Sequence, residues 1–546
     1  MKSRLPLIAA VILCCVSCVD VNNQLGGSLL PVDQTYEIYS SAQPIQDISI
    51  RMADSLSGYS NTRITLGAIR ESEYGLTTRD CAMTLMPTVD TMDFGTNPQL
   101  RYFRFEAARD TNSVADPSQQ NILQRVRVRE LAAPIDVRYC NDKIVPSEKS
   151  ILGRPAYLDG TDSLAFTFSE EYAKKFFSLT QDDLSSTDKY LAKIPGIYLS
   201  VDAPIGEGGR INMFDLQLDY AKSAGSVLGN YATLAFRSTY NGEVRDTAFY
   251  FYYGADNLYP MDSLLNKSST GNFPQYCLNL TGHSTRDRQG KATDRIEVEG
   301  GGGLKPVISA RCLRDMARKI ILDTLLASGK SADLLPTVVI NKASIILPFE
   351  IEQDYRLTFL TPYILSPTCR IRTDSTSVFM GLTDASASNE NQGDIDRSNL
   401  QFAPDVTYHL QALLKMDDTK IDNGNYDIWL LTMAQEEETT SSTAADEEMS
   451  EYYQYLAYQS YYNDMYGYGG YGGYGYGGYG YGGYGSSYSN YYSYMMAAMY
   501  ASANSSTTSL TTQLDISRFY RFALNGPTAS GRRPELRLVF SVPNTD

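Results

Sequence analysis

The chain has 546 residues, a length that predicts roughly three to five domain-sized pieces rather than one compact core. Its 47 Lys and Arg residues against 63 Asp and Glu residues give a formal charge of −16, which argues against a nucleic-acid partner held by a basic surface. Only two histidines are present, His283 and His409, so metal sites that need several histidines are excluded. We expect neither a metal nor any other cofactor.

The N-terminus has the pattern of an export signal. Lys2 and Arg4 precede an apolar run from Leu5 to Leu13, and Cys18 follows where a cleavage site belongs. This order resembles a lipoprotein signal, so we predict a signal peptide over residues 1–17 and lipidation of Cys18. Its acyl chains would anchor the protein in the outer membrane. A surface-facing orientation is slightly favoured over a periplasmic one, and simple secretion is the alternative.

The first half of the mature chain is predicted to be mainly β. A polar tether covers residues 18–35, and a mainly-β region follows over residues 36–299, in which short alternating apolar runs are separated by turn signals. Thr167 to Glu170 offers a capping box that predicts a short helix near 168–179. Asn241 and Gly242 lie between two alternating runs and predict a β-hairpin.

The second half, residues 300–546, is predicted to be a β-sandwich region. Glycines 300–303 mark a break, and helical spacing of apolar residues then predicts a helix near 309–326. Alternating runs at 343–350 and 536–542 predict strands on both sides of a low-complexity insertion at 434–509. The predicted fold class is therefore mainly β, with two β-sandwich-like (jelly-roll-like) regions, a few short helices and a disordered Tyr/Gly-rich insertion.

Tyrosines are concentrated in that insertion. Residues 452–500 contain 19 of the 42 tyrosines and 12 of the 41 glycines but few aliphatic residues, which favours disorder. Rings on a flexible chain could bind sugars or a partner, and a passive loop expansion is the alternative. The residues predicted as a contact tract are Tyr466, Tyr468, Tyr471, Tyr474, Tyr476, Tyr479, Tyr481 and Tyr484.

Motifs for catalysis or metal binding are weak in this sequence. The glycine run 300–303 could cradle a phosphate, but it lacks the P-loop ending, so we expect a flexible turn. Acidic loops at 394–396 and 417–427 are rich in oxygen ligands without the ligand order of a calcium loop. Both histidines are expected to be packed or solvated. Apart from the signal region, the cysteines are expected to be small buried side chains, with at most one bridge; they are Cys81, Cys140, Cys277, Cys312 and Cys369.

Short strings spread over the mature chain occur in the order seen in one known family. They are Leu25–Pro31, Leu66–Gly67, Glu73–Gly75, Pro195–Leu199, Leu216–Tyr220, Gly301–Leu304, Ile340–Ala343 and Pro534–Leu538. Together they resemble the Bacteroidota lipoprotein family of domain of unknown function 4270. The resemblance implies an envelope lipoprotein of mixed β architecture and supplies no catalytic residues, because the family has no assigned activity. The Tyr/Gly tract departs from the family pattern.

The sequence therefore predicts a lipid-anchored outer-membrane protein that is a binding or structural component rather than an enzyme. Its partners would be the membrane, through the N-terminal lipid, and an envelope protein or a glycan. Three functions remain open: a subunit of an outer-membrane transport or assembly complex, a glycan-binding surface lipoprotein, and a carbohydrate-active enzyme, which would need two carboxylates at a fixed separation.

Overall fold

The computed structural model describes residues 35–544 with internal gaps. The gaps are residues 55, 57, 61, 90, 136–143, 217, 222–225, 255–274, 352–354, 373–376, 383, 385–391 and 441–506. The predicted signal peptide, Cys18, all but the last residue of the tether and the whole predicted contact tract therefore lie outside the described residues.

Strands make up most of the regular structure, which confirms the mainly-β prediction. In the first half they are β1 Tyr36–Pro44, β2 Ile48–Met52, β3 Tyr59–Ser60, β4 Arg63–Glu71, β5 Gly75–Met83, β6 Leu85–Pro87, β7 Thr96–Ala107, β8 Arg109–Val114, β9 Gln124–Leu131, β10 Pro146–Ser150, β11 Ala156–Leu158, β12 Leu164–Thr167, β13 Ile197–Val201, β14 Gly208–Asp215, β15 Leu218–Ala221, β16 Ser226–Gly229, β17 Ala232–Tyr240, β18 Glu243–Tyr253 and β19 Cys277–His283. In the second half they are β20 Gly290–Lys291, β21 Arg295–Val298, β22 Leu304–Ile308, β23 Val339–Pro348, β24 Ile364–Arg372, β25 Ser377–Gly381, β26 Ile395–Asp396, β27 Gln401–Phe402, β28 Ile428–Thr440, β29 Thr507–Leu514, β30 Phe522–Asn525 and β31 Glu535–Pro543.

Helices connect the sheets. The α-helices are α1 Glu170–Phe177, α2 Thr187–Lys193, α3 Ala310–Ala327, α4 Thr407–Lys415 and α5 Asp418–Ile421. Short 3₁₀ helices are Pro117–Gln119, Asp183–Ser185, Arg286–Arg288, Ala332–Thr337 and Tyr355–Leu360. Both predicted helices are found, but α1 is capped by Ser169, whose hydroxyl accepts from the backbone N–H of Tyr172 at 3.2 Å, rather than by Thr167.

Two sheets and a hairpin form an inserted unit from β3 to β19. One sheet has the order β10-β9-β13-β5-β4-β14-β8, with β11 on β9 and β19 on β5; the other has the order β12-β7-β17-β18-β6; strands β15 and β16 form the hairpin. Between the two large sheets lies an aromatic core that also takes in α1. Phe103 and Phe176, for example, have ring centroids 4.9 Å apart. The predicted Asn241–Gly242 turn joins β17 to β18, with both residues at positive φ.

The remaining strands form a flanking unit that includes both ends of the described chain. One sheet has the order β1-β31-β23-β27-β26, a second has the order β20-β2-β22-β28-β24-β25 with β29 on β28, and β21 pairs with β30. Side chains from these sheets and from α3 and α4 share one apolar core. The sheets therefore do not follow the boundary predicted between residues 299 and 300, because β1, β2 and β21, which precede residue 300, pair with β31, β22 and β30, which follow it.

The ends of the low-complexity insertion are held by a two-stranded ribbon. Strands β28 and β29 pair from Met433 with Leu514 to Thr440 with Thr507. Residues 434–440 and 507–509, which the sequence placed in the insertion, are therefore strand residues. The described chain stops at 440 and resumes at 507, on two neighbouring strands of one sheet.

Candidate functional site

The inserted and flanking units meet around five buried ionisable side chains, which we call the junction cluster: Arg79, His283, Glu299, Lys305 and Asp515. Strands β5 and β19 of the inserted unit supply the first two. The flanking unit supplies Glu299 after β21, Lys305 on β22 and Asp515 after β29. Sequence reasoning treated His283 as a packed or solvated residue and passed over the other four.

Arg79 is fully buried and links the two units. Its Nε donates to the backbone carbonyl of Ile516 at 2.7 Å and its Nη1 to that of Thr78 at 2.9 Å. The same Nη1 lies 3.5 Å from Nε2 of His283. Nη2 has no hydrogen-bond partner among the described residues. Burial lowers the pKa of Arg79 to about 10, so the guanidinium stays charged at neutral pH.

Glu299 is the centre of the cluster. Its carboxylate accepts hydrogen bonds from Oγ1 of Thr285 at 2.8 Å and from the backbone N–H of Leu304 at 2.9 Å, and one of its oxygens lies 3.3 Å from Nδ1 of His283. Burial raises the pKa of Glu299, but His283 and these hydrogen bonds outweigh it and bring the pKa down to about 2. Burial lowers the pKa of His283, which favours a neutral ring beside an ionised carboxylate.

Lys305 lies on β22 with no exposed surface. Its Nζ donates to the backbone carbonyl of Glu299. Burial lowers the pKa of this lysine to about 7, although the carboxylates of Glu299 and Asp515 act in the opposite direction. Asp515 is satisfied by its own loop, where it accepts from the backbone N–H of Ser517 at 3.1 Å and from Nη1 of Arg518 at 2.9 Å.

The glycine run passes directly beside the cluster. A Cβ on Gly301, at a φ of +55°, would lie 2.9 Å from Cγ2 of Thr281, and one on Gly303 would lie 2.4 Å from Cβ of Glu299. The turn is thus packed between the units, whereas we predicted a flexible turn. The N–H groups of residues 301, 302 and 303 bond to the Asp515 carbonyl, the Thr281 hydroxyl and the Gly300 carbonyl. None of these three donors is left to cradle a phosphate.

A cavity of about 350 Å³ opens next to the cluster, and we call it the junction cavity. Its lining residues are Met52, Ala53, Asp54, Leu56, Thr78, Asp80, Tyr198, Leu280, Thr281, Gly282, His283, Arg286 and Gly302. His283 is the member of the junction cluster that reaches the cavity wall. The other four ionisable groups of the cluster are buried and are not among the residues that line the cavity.

Two carboxylates line the junction cavity in different surroundings. Asp54 forms an ion pair with Arg370 at 2.8 Å, and Arg370 in turn lies over the rings of Phe379 and Trp429. Asp80 accepts a hydrogen bond from the hydroxyl of Tyr198 at 2.8 Å. Burial raises the pKa of Asp80 to about 6. The cavity therefore offers one ion-paired carboxylate and one that takes up a proton in mildly acidic solution.

The acidic loops serve as local caps. Asp396 accepts from the backbone N–H groups of Ser398 and Asn399, each at 3.0 Å, and Asp417 caps α5. Asp422 binds Arg311 through two bonds of 2.6 Å. Within the part of the chain that the structure describes, no group of three or more His, Cys, Asp or Glu side chains has the arrangement of a metal site.

The remaining histidine and the cysteines are packing residues. His409 is buried on α4, and its Nε2 lies 3.0 Å from the carbonyl oxygen of Tyr426. Cys81, Cys277 and Cys369 are buried and Cys312 is partly buried, and the described residues contain no disulfide. These observations agree with the expectation of small packed side chains; Cys140 lies outside the described residues.

Comparisons with protein-family models, with curated proteins and with solved structures find no match for this chain. Among the described helices, none combines the length and the apolar character needed to cross a membrane.

Proposed function

We propose that the protein is a lipid-anchored outer-membrane protein that acts as a non-catalytic binding or structural component of the cell envelope. The observation that carries this proposal is that different side chains join the two units and line the cavity beside them. Arg79, through the Ile516 carbonyl, and Glu299, beside His283, join the two units, and Lys305 and Asp515 bond within the flanking unit. The adjoining cavity, in contrast, presents polar side chains to the outside. A polar cavity at the described junction of two joined units is suited to recognising a ligand or a partner.

The lipid anchor is supported by the basic and apolar order that precedes Cys18. Changing Cys18→Ala should leave an unprocessed precursor that no longer fractionates with the outer membrane. Processing and membrane retention equal to those of the unchanged protein would refute the anchor. Protease treatment of intact cells would then show whether the body faces the surface, the orientation that we favour slightly.

The partner that we favour is an envelope protein, with this chain as a subunit of an outer-membrane transport or assembly complex. Arg286 is exposed at the cavity lining and is a suitable position for a photo-crosslinking amino acid. Val244, an exposed residue next to the β17–β18 turn, is the matched control position. Crosslinking to an integral outer-membrane protein from position 286 but not from 244 would support the proposal, and equal yields from both positions would contradict it.

The Tyr/Gly tract is proposed as a second contact element of the same protein. Each ring contact would be weak, because ordering the chain costs roughly 1–2 kcal/mol per residue, so many rings would have to bind at once. Changing the eight tyrosines from Tyr466 to Tyr484 into serine should leave anchoring intact and reduce partner recovery after crosslinking. Unchanged recovery would identify the tract as a passive expansion.

The alternative function is that of a carbohydrate-active enzyme, and the two cavity carboxylates favour it. Asp80, with its raised pKa, has the properties of a general acid, and the ion-paired Asp54 those of a base or nucleophile. Release of reducing sugar from a polysaccharide that is abolished separately by Asp80→Asn and by Asp54→Asn would establish this function. Activity that is absent, or that survives both changes, would leave the binding role.

A further inference from the structure

The inserted unit carries an exposed sheet face on the side of its core away from the junction cavity. Within the sheet β12-β7-β17-β18-β6, inward side chains such as Phe103, Phe105 and Phe251 form the core, and several residues between them are exposed on the other side. Two outward residues are tyrosines with large exposed fractions: Tyr102 on β7 is 47% exposed and Tyr250 on β18 is 38% exposed. We call this surface the tyrosine face.

The two exposed rings flank a shallow trough. Strand β17 runs between β7 and β18 and presents Thr233 opposite Tyr250 and Ala235 opposite Tyr102. The two tyrosines are two strands apart, at about 4.8 Å per strand, and are offset by two residues along the strands, so their positions are about 12 Å apart. Ala248 on β18 lies opposite Ala235 on β17, and because both side chains are small they do not fill the trough. The trough can therefore receive an extended chain that crosses two strands.

Neighbouring contacts hold the rings in place. Tyr231 packs against Tyr250 edge to face, with ring centroids 5.4 Å apart and an interplanar angle of 88°. Burial raises the pKa of the Tyr231 hydroxyl, and the charges of Tyr250, Glu106 and Tyr102 act in the same direction. A ring that is already oriented loses little entropy when a flat ligand stacks on it.

Most charges on this face are paired, and Arg101, whose Nε lies 3.7 Å from Asp246, leaves one positive charge in excess. Arg104 forms an ion pair with Glu106 at 2.7 Å, and Arg237 binds Asp246 through two bonds of 2.8 Å. The face therefore has donors and acceptors but little net field, which fits neither a nucleic acid nor a strongly charged protein surface. It fits a neutral polymer that has apolar C–H faces and many hydroxyl groups.

We propose that the tyrosine face binds a neutral polysaccharide. Sugar rings stack on Tyr102 and Tyr250 through their C–H faces, and the sugar hydroxyls between them exchange hydrogen bonds with Thr233 and with the Arg104–Glu106 pair. The site does not use the junction cavity or the Tyr/Gly tract, so it can be tested separately from both.

The test is native electrophoresis of the full-length mature protein in gels that contain a neutral polysaccharide, with laminarin, mannan and xylan as probes and alginate as the anionic comparison. The unchanged protein should be retarded by at least one neutral probe and not by alginate. The double change Tyr102→Ala with Tyr250→Ala should raise the dissociation constant roughly tenfold or more. The pair Tyr102→Phe with Tyr250→Phe, which keeps the rings, should retain most of the binding.

Tyr408→Ala is the matched control, since Tyr408 is 48% exposed but lies on α4 in the flanking unit. It should bind like the unchanged protein. Thermal unfolding of each variant checks that the fold is intact, and the single change Tyr102→Ala replaces the double variant if the latter fails to fold. The proposal is overturned if no neutral probe retards the protein, if alginate retards it more, or if loss of the rings has no effect.

Discussion

At the scale of single residues, Glu299 offers the most direct test of the junction cluster. Glu299→Gln would keep an acceptor for Thr285 but would leave the buried Lys305 and Arg79 with one carboxylate fewer. Because removing one partner leaves buried charge uncompensated, we expect the free energy of unfolding to fall by about 3–5 kcal/mol. Urea unfolding at pH 7 measures this change.

A neighbouring glutamate provides the control. Glu297 pairs with Arg288 at 2.9 Å near the surface, so Glu297→Gln should cost less than about 1 kcal/mol. Equal losses in the two variants would mean that the buried position of Glu299 has no special role.

Asp80 should make stability depend on pH in the opposite direction to an ordinary ion pair. Burial raises its pKa to about 6 in the folded protein from the usual value of 3.8. Between these values the folded state holds a proton that the unfolded state has lost, so stability falls as pH rises from about 4 to about 6. Asp80→Asn should therefore match the unchanged protein at pH 4 and exceed it by roughly 2–3 kcal/mol at pH 7.

Urea unfolding at a series of pH values would show this effect: the difference in the free energy of unfolding between Asp80→Asn and the unchanged protein should grow as the pH rises. A difference in the free energy of unfolding that stays constant from pH 4 to pH 7 would contradict the raised pKa of Asp80. The hydroxyl of Tyr198 can donate to the Asn side chain as it does to the carboxylate, so loss of that bond should not mask the result.

Little of this residue-scale arrangement could be predicted from the sequence. Arg79 lies far along the chain from Glu299 and Lys305, and each of the three taken alone resembles an ordinary charged residue. The one available signal was Lys305 within the otherwise apolar run from Leu304 to Ile308, directly after the glycines. A charge in a buried strand implies a buried partner, but the sequence does not say which residue that is.

At the scale of elements, the pairing of β28 with β29 determines how much the low-complexity insertion changes the melting temperature. Thr440 and Thr507 face each other across the ribbon. Replacing residues 441–506 with a short Gly/Ser linker should therefore change the melting temperature little, because each halving of loop length alters the closure free energy by only about 0.6 kcal/mol. Differential scanning calorimetry measures the midpoint.

The matched deletion removes residues 434–513 and with them almost the whole β28–β29 ladder. We expect this second variant to melt at a lower temperature than the first, because the edge of the sheet loses its hydrogen-bonded partner. If the first deletion alone caused a cooperative loss of fold, residues 441–506 would have to belong to the core.

Local patterns predicted elements better than they predicted partners. Helical spacing gave α3 almost to the residue, and Asn241–Gly242 gave the β17–β18 hairpin, because both depend on neighbours in the sequence. The pairing of β1 with β31 joins residues that are about as far apart in sequence as the described chain allows. The alternation of apolar and polar residues within one strand does not identify the strand with which it pairs.

At the scale of the whole molecule, the two units are coupled by an apolar cluster as well as by charge. Phe519 and Leu360 of the flanking unit pack with Ile69, Tyr74 and Ile211 of the inserted unit. We therefore expect the unchanged protein to unfold in one transition. Phe519→Ala should separate the transition into two, since the variant leaves a cavity between the units without changing either large core.

Phe359→Ala serves as the control, because Phe359 is 46% exposed and should have little effect on unfolding. Calorimetry with an independent fluorescence probe would distinguish one transition from two. A single transition with an unchanged midpoint in Phe519→Ala would show that the interface contributes nothing to cooperativity.

The pairing of β1 with β31 also sets an order of events during biosynthesis. A ribosome makes β1 among the first parts of the body and β31 as the last strand, while β3 to β19 emerge in between with their partners nearby. The inserted unit can thus fold before β31 is available, but β1 and β2 must wait without a complete sheet. Closure of the sheet that contains β1 therefore requires β31, and a product that stops before residue 535 carries an open strand edge that quality-control proteases and chaperones can recognise.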